Sequence, residues 1–337
     1  MKKSFYIHHL IISALTLTVL FSGCSKKSAL PPQSKICMDT VCSINAFDYG
    51  TEELYADIFK RLDEIEKVFS PTLHDSEVCK INRMAGISPV EVSEDFLTVL
   101  STAQKISRIT KGALDVTAGP LIDLWGINTD HQKIPTSKEI EAAKEFVGYE
   151  KIQVDGNNVF LPVAGMSFNF GAVVKGYAAD EIVSIMKRHR VKRAIIDLGG
   201  NIYAFGRKAD NIPWVIGIKN PKNPNGNPML KVYVKNSSIV TSGNYERYFE
   251  QNGKRYHHIL NTETGMPAER GVYSVTIICK KSIVADCLST ASFILGAERT
   301  YDVISTIEKE FKTTIGCVFI YPDNRWGHFG KIKVMPY

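Results

Sequence analysis

Two separate segments of the sequence carry residues that could together bind a phosphate-containing substrate. In the first, MSFNFGAVVKGYAAD (166–180), an alternating apolar run predicts a strand, and apolar residues at three- and four-residue spacing then predict a helix. A strand that enters a helix through Gly171 directs backbone N–H groups and the positive end of the helix dipole towards one point, where Lys175 adds a full charge. The segment is a candidate phosphate-binding site. An ordinary strand–helix junction is the alternative, because the segment matches neither a P-loop nor a dinucleotide-binding fingerprint.

The second segment is ADCLSTA (285–291), inside an apolar helical pattern that ends at Gly296. Asp286, Ser289 and Thr290 stand at i, i+3 and i+4, so a helix places the carboxylate and both hydroxyls on one face. Such oxygen ligands suit a hard cation such as Mg²⁺. The alternative is a helix cap or a hydrogen-bonded aspartate in the core. A shared site for Mg²⁺ and phosphate requires that the fold bring the two segments together.

These segments belong to a longer series of motifs. The others, in chain order, are DSEVCKIN (75–82), GALDVTAGPLIDLWG (112–126), DLGGN (197–201), TSGNYERY (241–248) and HILNTETGMP (258–267). The series resembles that of the ApbE family, the Mg²⁺-dependent FAD:protein FMN transferases, to which a spirochaetal periplasmic FAD-processing lipoprotein is related. The resemblance extends from about Met38 to the C-terminus. It implies mixed or antiparallel sheets with packed helices, in two intertwined subdomains around a flavin cleft.

The resemblance also implies a Mg²⁺ site that joins the two segments described first. Asp286 and Thr290 match side-chain ligands of the metal, and the backbone carbonyl of Ala172 matches a further ligand. Ser289 stands where some members carry an acidic residue, and it is not included in the predicted ligand set. In the implied reaction, attack on the phosphorus at the FMN side of FAD expels AMP, and the cation neutralises the phosphates. Asp286 is therefore also predicted to be catalytic.

A further set of residues is assigned to FAD by the resemblance: Met38, Thr72, Ala113, Leu114, Asp115, Asn169, Lys175 and Leu260. The apolar members of this set suit a ring system, although plain core positions would look the same. Asn169 stands where many members have aspartate. Thr72 stands at about the position of an aromatic residue, often tyrosine, that can cover the flavin or the adenine. A cover that lacks this ring should admit water more easily, which favours hydrolysis of FAD.

His258 is the predicted general base. It follows an alternating strand and precedes a turn-rich segment, and an imidazole with a pKa near neutrality can take the proton of an attacking hydroxyl. A histidine that only forms hydrogen bonds is the alternative. Its neighbour His257 points to the other side of the predicted strand and is the weaker candidate. The TSGNY segment (241–245) is expected to shape the acceptor or nucleotide pocket, or simply to form a turn.

Three functions remain open at this point. The leading prediction is attachment of FMN through a phosphoester to a threonine of an exported acceptor, such as a redox-pump subunit with a Ser/Thr-Gly-Ala-Ser/Thr segment. The first alternative is an FAD pyrophosphatase, in which water attacks at the same Mg²⁺ site and yields FMN and AMP. The second is a lipoprotein that binds FAD without chemistry, against which the catalytic metal ligands argue.

The N-terminus predicts export and a lipid anchor. Lys2 and Lys3 precede an apolar run (11–21) that is too short to cross a bilayer and that ends shortly before Cys24. Residues 1–23 are therefore predicted to be a lipoprotein signal peptide, residues 24–35 a tether, and residues 36–337 the flavin transferase domain. Cleavage before Cys24 would place a lipidated protein in the bacterial cell envelope, on the inner or the outer membrane. Ordinary secretion with a free Cys24 is the alternative.

The composition excludes some classes of partner and site but indicates no particular function. The apolar fraction of 44% and the charged fraction of 23% are those of a globular protein. The net charge of +6 is spread along the chain without a basic run, so no nucleic-acid partner is expected. No cysteine pair has zinc-ligand spacing. Cys37 and Cys42 would face opposite sides of a single strand, and the cysteines are expected to be mostly free and buried.

The element pattern predicts an α+β architecture, because strands and helices do not alternate strictly. Helices are predicted at 51–69, from a Ser93 cap to about 112, from a Thr136 capping box to Gly148, at 282–295 and at 298–311. An Asp155-Gly156 turn predicts a hairpin. Segments 231–234, 239–241, 245–250 and 256–260 predict one antiparallel meander.

Overall fold

The computed structural model describes residues 29–337, so the predicted signal peptide and Cys24 lie outside the described residues. The α-helices are α1 (Glu52–Phe69), α2 (Glu77–Met84), α3 (Glu94–Ile109), α4 (Gly119–Trp125), α5 (Ser137–Lys144), α6 (Val174–Arg188), α7 (Ser282–Leu295) and α8 (Ala297–Phe311). Among the described helices, none combines the length and the apolar character that crossing a membrane requires.

The strands are β1 (Gln33–Cys37), β2 (Thr40–Ala46), β3 (Val90–Glu91), β4 (Gln153–Asp155), β5 (Asn158–Phe160), β6 (Arg193–Leu198), β7 (Asn201–Gly206), β8 (Trp214–Ile218), β9 (Leu230–Val234), β10 (Ser237–Gly243), β11 (Tyr248–Gln251), β12 (Lys254–His257), β13 (Leu260–Asn261), β14 (Met266–Pro267), β15 (Ser274–Cys279), β16 (Ile315–Ile320), β17 (Trp326–Phe329) and β18 (Lys333–Pro336). Within residues 29–337 the central sheet has eight strands in the order β1-β2-β6-β7-β10-β15-β16-β17, and all of its pairs are antiparallel. The predicted α+β class is confirmed.

The predicted meander is wrong. Its four segments separate into different sheets: β9 pairs with β8 and β18, β10 lies in the central sheet, and β11 and β12 form a separate ribbon. Alternating apolar residues identify a strand but not its partner, because any strand with a matching apolar face can pair with it.

The central sheet is covered on both faces. On β15, Ile277 packs in the large core formed with the long helices, whereas Ile278 packs against the small β8–β9–β18 sheet. On β16, Phe319 packs in the same large core, and Val318 packs against the small sheet. Two covered faces explain why every residue of β15 and β16 is buried. The long helices thus lie on the side of the sheet that forms the main core.

Helix α6 holds the N-terminal end of helix α7. Helix α7 has no capping side chain of its own. The carboxylate of Asp180, on α6, accepts hydrogen bonds from the backbone N–H groups of Ser282 (2.9 Å) and Ile283 (3.0 Å). Burial raises the pKa of Asp180 to about 6, against the effect of these two donors. The first turn of α7 is therefore held by a residue more than a hundred positions earlier in the chain.

Gly176 sets the distance between the same two helices. A Cβ atom at this position would lie 2.4 Å from the carbonyl oxygen of Ser282 and 2.7 Å from both Ile283 Cα and Asp286 Cβ. These are atoms of the α7 backbone and the root of one of its side chains, so a whole helix would have to move.

We expect Gly176→Ala to lower the free energy of unfolding by about 3 kcal/mol, because overpacking of a rigid contact costs up to that amount. Gly327→Ala is the matched control, since a Cβ there meets nothing within 4 Å and the residue has no positive φ. Urea unfolding of both variants measures the difference. Equal stability of the two variants would show that α6 and α7 can separate without cost.

The N-terminal hairpin departs from the sequence predictions at two points. β1 begins at Gln33, so the last residues assigned to the tether pair in the sheet. Cys37 and Cys42 form a disulfide across the hairpin, contrary to the expectation that they face apart. The reason is a turn at Met38 and Asp39, both with positive φ, which places the two cysteines on neighbouring strands instead of one. The other cysteines among the described residues are free, and Cys279, Cys287 and Cys317 are buried as expected.

The strand predicted at the start of segment 166–180 is also absent. Only Ser167 forms a bridge, a parallel one with Ala118. The side-chain amide of Asn82 replaces a strand partner: its Nδ2 donates to Phe168 O (3.2 Å), and its Oδ1 accepts from Phe168 N (2.7 Å). Because one side chain satisfies both backbone groups, this apolar segment is buried without being part of a sheet.

Candidate active site

A wide cleft lies where α6 begins, beside α7. It has a volume of about 600 Å³, within the range of sites for nucleotide-sized ligands. All of the predicted site residues except Thr72 line it: Met38, Ala113, Leu114, Asp115, Asn169, Ala172, Lys175, His258, Leu260, Asp286 and Thr290. Segments 166–180 and 285–291 therefore line the same cleft.

Asp286 joins α7 to the first turn of α6. Its carboxylate is nearly buried, at 4% exposure, and its Oδ2 accepts a hydrogen bond from Gly176 N at 2.7 Å. Its other oxygen, Oδ1, makes no hydrogen bond within residues 29–337. Asp286 is thus a hydrogen-bonded residue of the helix interface, as the alternative interpretation held, and it also lines the cleft with an unused oxygen.

The donors around Asp286 fit a hard cation. The Thr290 hydroxyl lies one helical turn further along α7 and lines the same cleft. The carbonyl of Ala172 accepts no hydrogen bond within the described residues, because Gly176 N donates to Asp286 instead. One carboxylate, one hydroxyl and one carbonyl are oxygen ligands of the kind that Mg²⁺ takes together with phosphate oxygens and water. Within residues 29–337 no group of three or more His, Cys, Asp or Glu side chains is placed to hold a metal ion.

The start of α6 offers donors to an anion. Its N-cap, Val173, provides no capping side chain, and the backbone N–H of Lys175 makes no hydrogen bond within the described residues. The Lys175 ammonium donates to Gly171 O (2.9 Å) and has no carboxylate partner in that part of the chain. Asn169 Oδ1 accepts from Gly171 N (2.9 Å), so the amide Nδ2 remains free to donate. An unpaired cation and free N–H groups at a helix N-terminus attract phosphate.

His258 presents one free ring nitrogen to the cleft. Its Nδ1 lies 3.1 Å from the carbonyl oxygen of Arg247. A carbonyl can only accept, so Nδ1 carries the proton and Nε2 keeps its lone pair. Burial, together with the nearby charges of Arg247 and Lys175, lowers the pKa of His258 to about 4. The imidazole is therefore neutral at pH 7 and can accept a proton through Nε2.

His257 is satisfied within the protein. Its Nε2 lies 3.1 Å from Ala268 O, and its Nδ1 accepts a hydrogen bond from Ile259 N at 3.3 Å. Burial lowers its pKa to about 4 as well. Because both ring nitrogens are used, His257 has no free position for a substrate, which agrees with its lower rank in the sequence prediction.

The apolar end of the cleft is supported by polar residues that hold its backbone. Met38 lies in the β1–β2 turn, and its backbone N–H donates to Glu66 Oε1 at 2.9 Å. Asp115 uses both of its oxygens internally: Oδ1 accepts from the N–H (2.8 Å) and the hydroxyl (2.7 Å) of Thr117, and Oδ2 accepts from Tyr149 N (3.0 Å). Burial raises the pKa of Asp115. Asp115 therefore shapes the loop that carries Ala113, rather than offering a free carboxylate.

Thr72 differs from its predicted role. Its neighbours Ser70 and Pro71 line the cleft, but Thr72 does not. The Thr72 side chain is exposed, and its hydroxyl lies 3.2 Å from Ser70 Oγ. Because Ser70 Oγ also accepts from the N–H groups of Thr72 and Leu73, this turn holds Thr72 on the outer side of the loop. The cleft thus has no aromatic cover from this position.

Sequence reasoning missed Glu66 and Arg247, both of which line the cleft. Glu66 lies on the polar side of an amphipathic helix, where nothing distinguishes it from other surface acids. Arg247 lies inside the TSGNYERY motif, which could have indicated that it belongs to the site. Its carbonyl contact with His258 depends on the loop conformation, which the sequence does not show.

Comparison with known proteins identifies relatives of this chain. Residues 38–315 match the ApbE family. A relative named FAD:protein FMN transferase from Treponema pallidum (strain Nichols) is 33% identical over 312 residues, which are 87% of this chain and 85% of the relative. A relative of the same name from Vibrio cholerae is 30% identical over 292 residues, which are 85% of this chain and 87% of the relative.

Solved structures show the same fold. The ApbE protein of Thermotoga maritima superposes with a TM-score of 0.78 at 30% identity, covering 88% of this chain and 96% of the other. The flavin transferase ApbE from Vibrio cholerae superposes with a TM-score of 0.76 at 27% identity, covering 89% of this chain and 96% of the other. On the match to the family and on these relatives, the chain belongs to the ApbE family.

Proposed function

We propose that this chain is an FAD:protein FMN transferase that depends on Mg²⁺, attaches FMN to a threonine of an acceptor protein and releases AMP. The curated relatives carry the name of this activity. The observation that carries the proposal is the meeting of the α6 N-terminus with Asp286 and Thr290 of α7 in one cleft. A pyrophosphate needs donors on one side and oxygen ligands for its cation on the other, and these two helices supply both.

The transfer exchanges one phosphorus–oxygen bond for another. The threonine oxygen bonds to the phosphorus of the FMN half, and the bond from that phosphorus to the bridging oxygen of AMP breaks. The hydroxyl proton passes to Nε2 of His258, the free ring nitrogen. Asn169 and Lys175 donate to the phosphates, while Asp286, Thr290 and the Ala172 carbonyl would hold Mg²⁺. When bound, this ion supplies neutralisation of the pyrophosphate charge.

Hydrolysis of FAD to FMN and AMP is the second candidate, and the position of Thr72 favours it. Thr72 lies outside the cleft and brings no ring over the substrate. Water that enters from this side could replace the threonine hydroxyl as the nucleophile at the same phosphorus. Binding of FAD without chemistry is the remaining alternative.

The acceptor and the location of the protein extend this proposal. We take the acceptor to be an exported protein with a Ser/Thr-Gly-Ala-Ser/Thr segment, because the N-terminal sequence predicts export. Lipidation at Cys24 would hold the enzyme at a membrane of the cell envelope. Globomycin, which inhibits lipoprotein signal cleavage, should then leave a larger, unprocessed form of the protein in cells.

An acceptor assay tests the function. The protein is incubated with FAD, Mg²⁺ and an acceptor domain that contains the segment, with a Thr→Val form of the domain as the control. Transfer yields a fluorescent acceptor band and an equal amount of AMP, and the control domain yields neither.

The other outcomes separate the alternatives. Free FMN with AMP, independent of the acceptor, identifies hydrolysis. Intact FAD after incubation with saturating Mg²⁺ identifies binding alone and contradicts the proposal.

A further inference from the structure

Three hydroxyl groups form a chain beside the candidate cation site. Ser242, near the end of β10, has its Oγ 2.8 Å from Ser289 Oγ and 3.3 Å from Thr290 Oγ1, both on α7. Ser289 Oγ in turn lies 2.9 Å from the carbonyl oxygen of Asp286. Ser242 and Thr290 line the cleft, whereas Ser289 is fully buried behind them.

The number of available protons fixes the direction of this chain. The Asp286 carbonyl can only accept, so the single proton of Ser289 is used there. Ser289 must then accept from Ser242, which uses the single proton of Ser242. Towards Thr290, Ser242 therefore has only a lone pair to offer, and Thr290 is the donor. The protons run from Thr290 to Ser242, to Ser289 and to the helix carbonyl.

We infer that Ser242 is a positioning residue, which draws the hydroxyl proton of Thr290 away from the cation site so that its oxygen lone pairs face a bound metal. This inference rests on the proposed function, since it concerns the same Mg²⁺ site. A hydroxyl ligates a cation through its oxygen and must direct its proton elsewhere, and an acceptor fixed in advance keeps Thr290 in the ligating orientation. Ser242 has this effect without being a ligand itself.

The chain of hydroxyl groups also gives Ser289 a role of its own. Some family members carry an acid at this position, which raised the question of whether Ser289 binds the metal. Here Ser289 is 0% exposed and does not line the cleft. Instead, the hydroxyl oxygen of Ser289 accepts the hydrogen bond from Ser242, so the single hydroxyl proton of Ser242 is used there. Ser289 therefore acts on the site through Ser242.

Binding of Mn²⁺ to the purified protein, followed by the EPR signal of the free ion, tests the inference without turnover. We expect Ser242→Ala to weaken Mn²⁺ binding by about tenfold, as for other residues that orient metal ligands. Ser242→Thr keeps a hydroxyl and should restore most of the affinity. Ser289→Ala should weaken binding by about threefold or more, because Ser242 would then be free to donate to Thr290.

Ser292→Ala is the matched control. It removes a buried hydroxyl from the same helix, and that hydroxyl has no hydrogen-bond partner in the described part of the chain. The Mg²⁺ concentration that gives half-maximal transfer should follow the same order as Mn²⁺ affinity. The inference is overturned if Ser242→Ala binds Mn²⁺ as tightly as Ser292→Ala does. It is also overturned if Ser289→Ala has no effect, since the hydrogen bond from Ser242 to Ser289 would then not orient Thr290.

The two hypotheses fail separately. If the wild-type protein transfers no FMN, the acceptor assay refutes the proposed function, while the Mn²⁺ affinities of the variants still report on the hydroxyl chain. Thermal unfolding of each variant, compared with Ser292→Ala, excludes a general loss of structure.

Discussion

Replacement of Asp286 by asparagine is expected to lower the rate of FMN transfer by about a thousandfold, while the protein keeps its fold. The amide oxygen of asparagine can still accept the hydrogen bond from Gly176 N, so the contact between α6 and α7 survives. What is lost is the one carboxylate charge that the candidate cation site contains among its ligands. Asp286→Ala removes the acceptor as well and should therefore also reduce stability.

Single-turnover AMP release at saturating Mg²⁺ measures the effect of Asp286→Asn, and urea unfolding shows that the variant is folded. Asp302→Asn is the control, since Asp302 is an exposed acid on the neighbouring helix α8. A folded Asp286→Asn variant that releases AMP at the rate of the Asp302→Asn variant would refute the assignment of Asp286 as a metal ligand.

The sequence predicted those parts of the fold that depend on local pattern. Thr51 begins α1 and Thr136 begins α5 with the predicted capping box, because short-range hydrogen bonds decide where a helix begins. Helix α7 covers the predicted range, because its apolar residues surround it on all sides. Side chains four positions apart on that helix, such as Asp286 and Thr290, could be assigned to one face for the same reason.

Features that depend on partners distant in the chain were predicted poorly. Segment 166–170 has the alternation of a strand, but Asn82 replaces the strand partner. Cys37 and Cys42 pair because two residues with positive φ turn the chain between them, and neither is a glycine that would have indicated the turn. Such outcomes depend on the whole fold rather than on the segment itself.

In the candidate site, too, local features were predicted from the sequence and features that depend on distant partners were not. The sequence could place Asp286 on a helix and Lys175 at a helix start, and the family resemblance joined the two. It could not show that Gly176 brings α6 within hydrogen-bonding distance of Asp286. Nor could it show that Thr72 turns outward, since that follows from hydrogen bonds to Ser70.

Replacement of His258 by glutamine is expected to lower the rate of transfer by about a thousandfold, in the range of a lost general base, with little change in FAD affinity. The geometry gives this residue a neutral imidazole with a protonated Nδ1 and a free Nε2. His328→Gln, at an exposed position on β17, is the control. Transfer by His258→Gln at the rate of the control would contradict the role of His258 as base.

The pH dependence of kcat/KM provides a second test of His258, because it reports the free enzyme. Only the neutral imidazole accepts a proton, so activity is present above the pKa of His258 and is lost as the pH falls through it. Burial lowers that pKa to about 4, so kcat/KM should stay level from neutral pH down to about 5 and fall near pH 4. Bound FAD places negative phosphates near the ring and should raise the pKa in the complex, which moves the fall of kcat to higher pH. A fall of kcat/KM centred near 6.5, the ordinary histidine pKa, would contradict a buried His258 with a lowered pKa as the base.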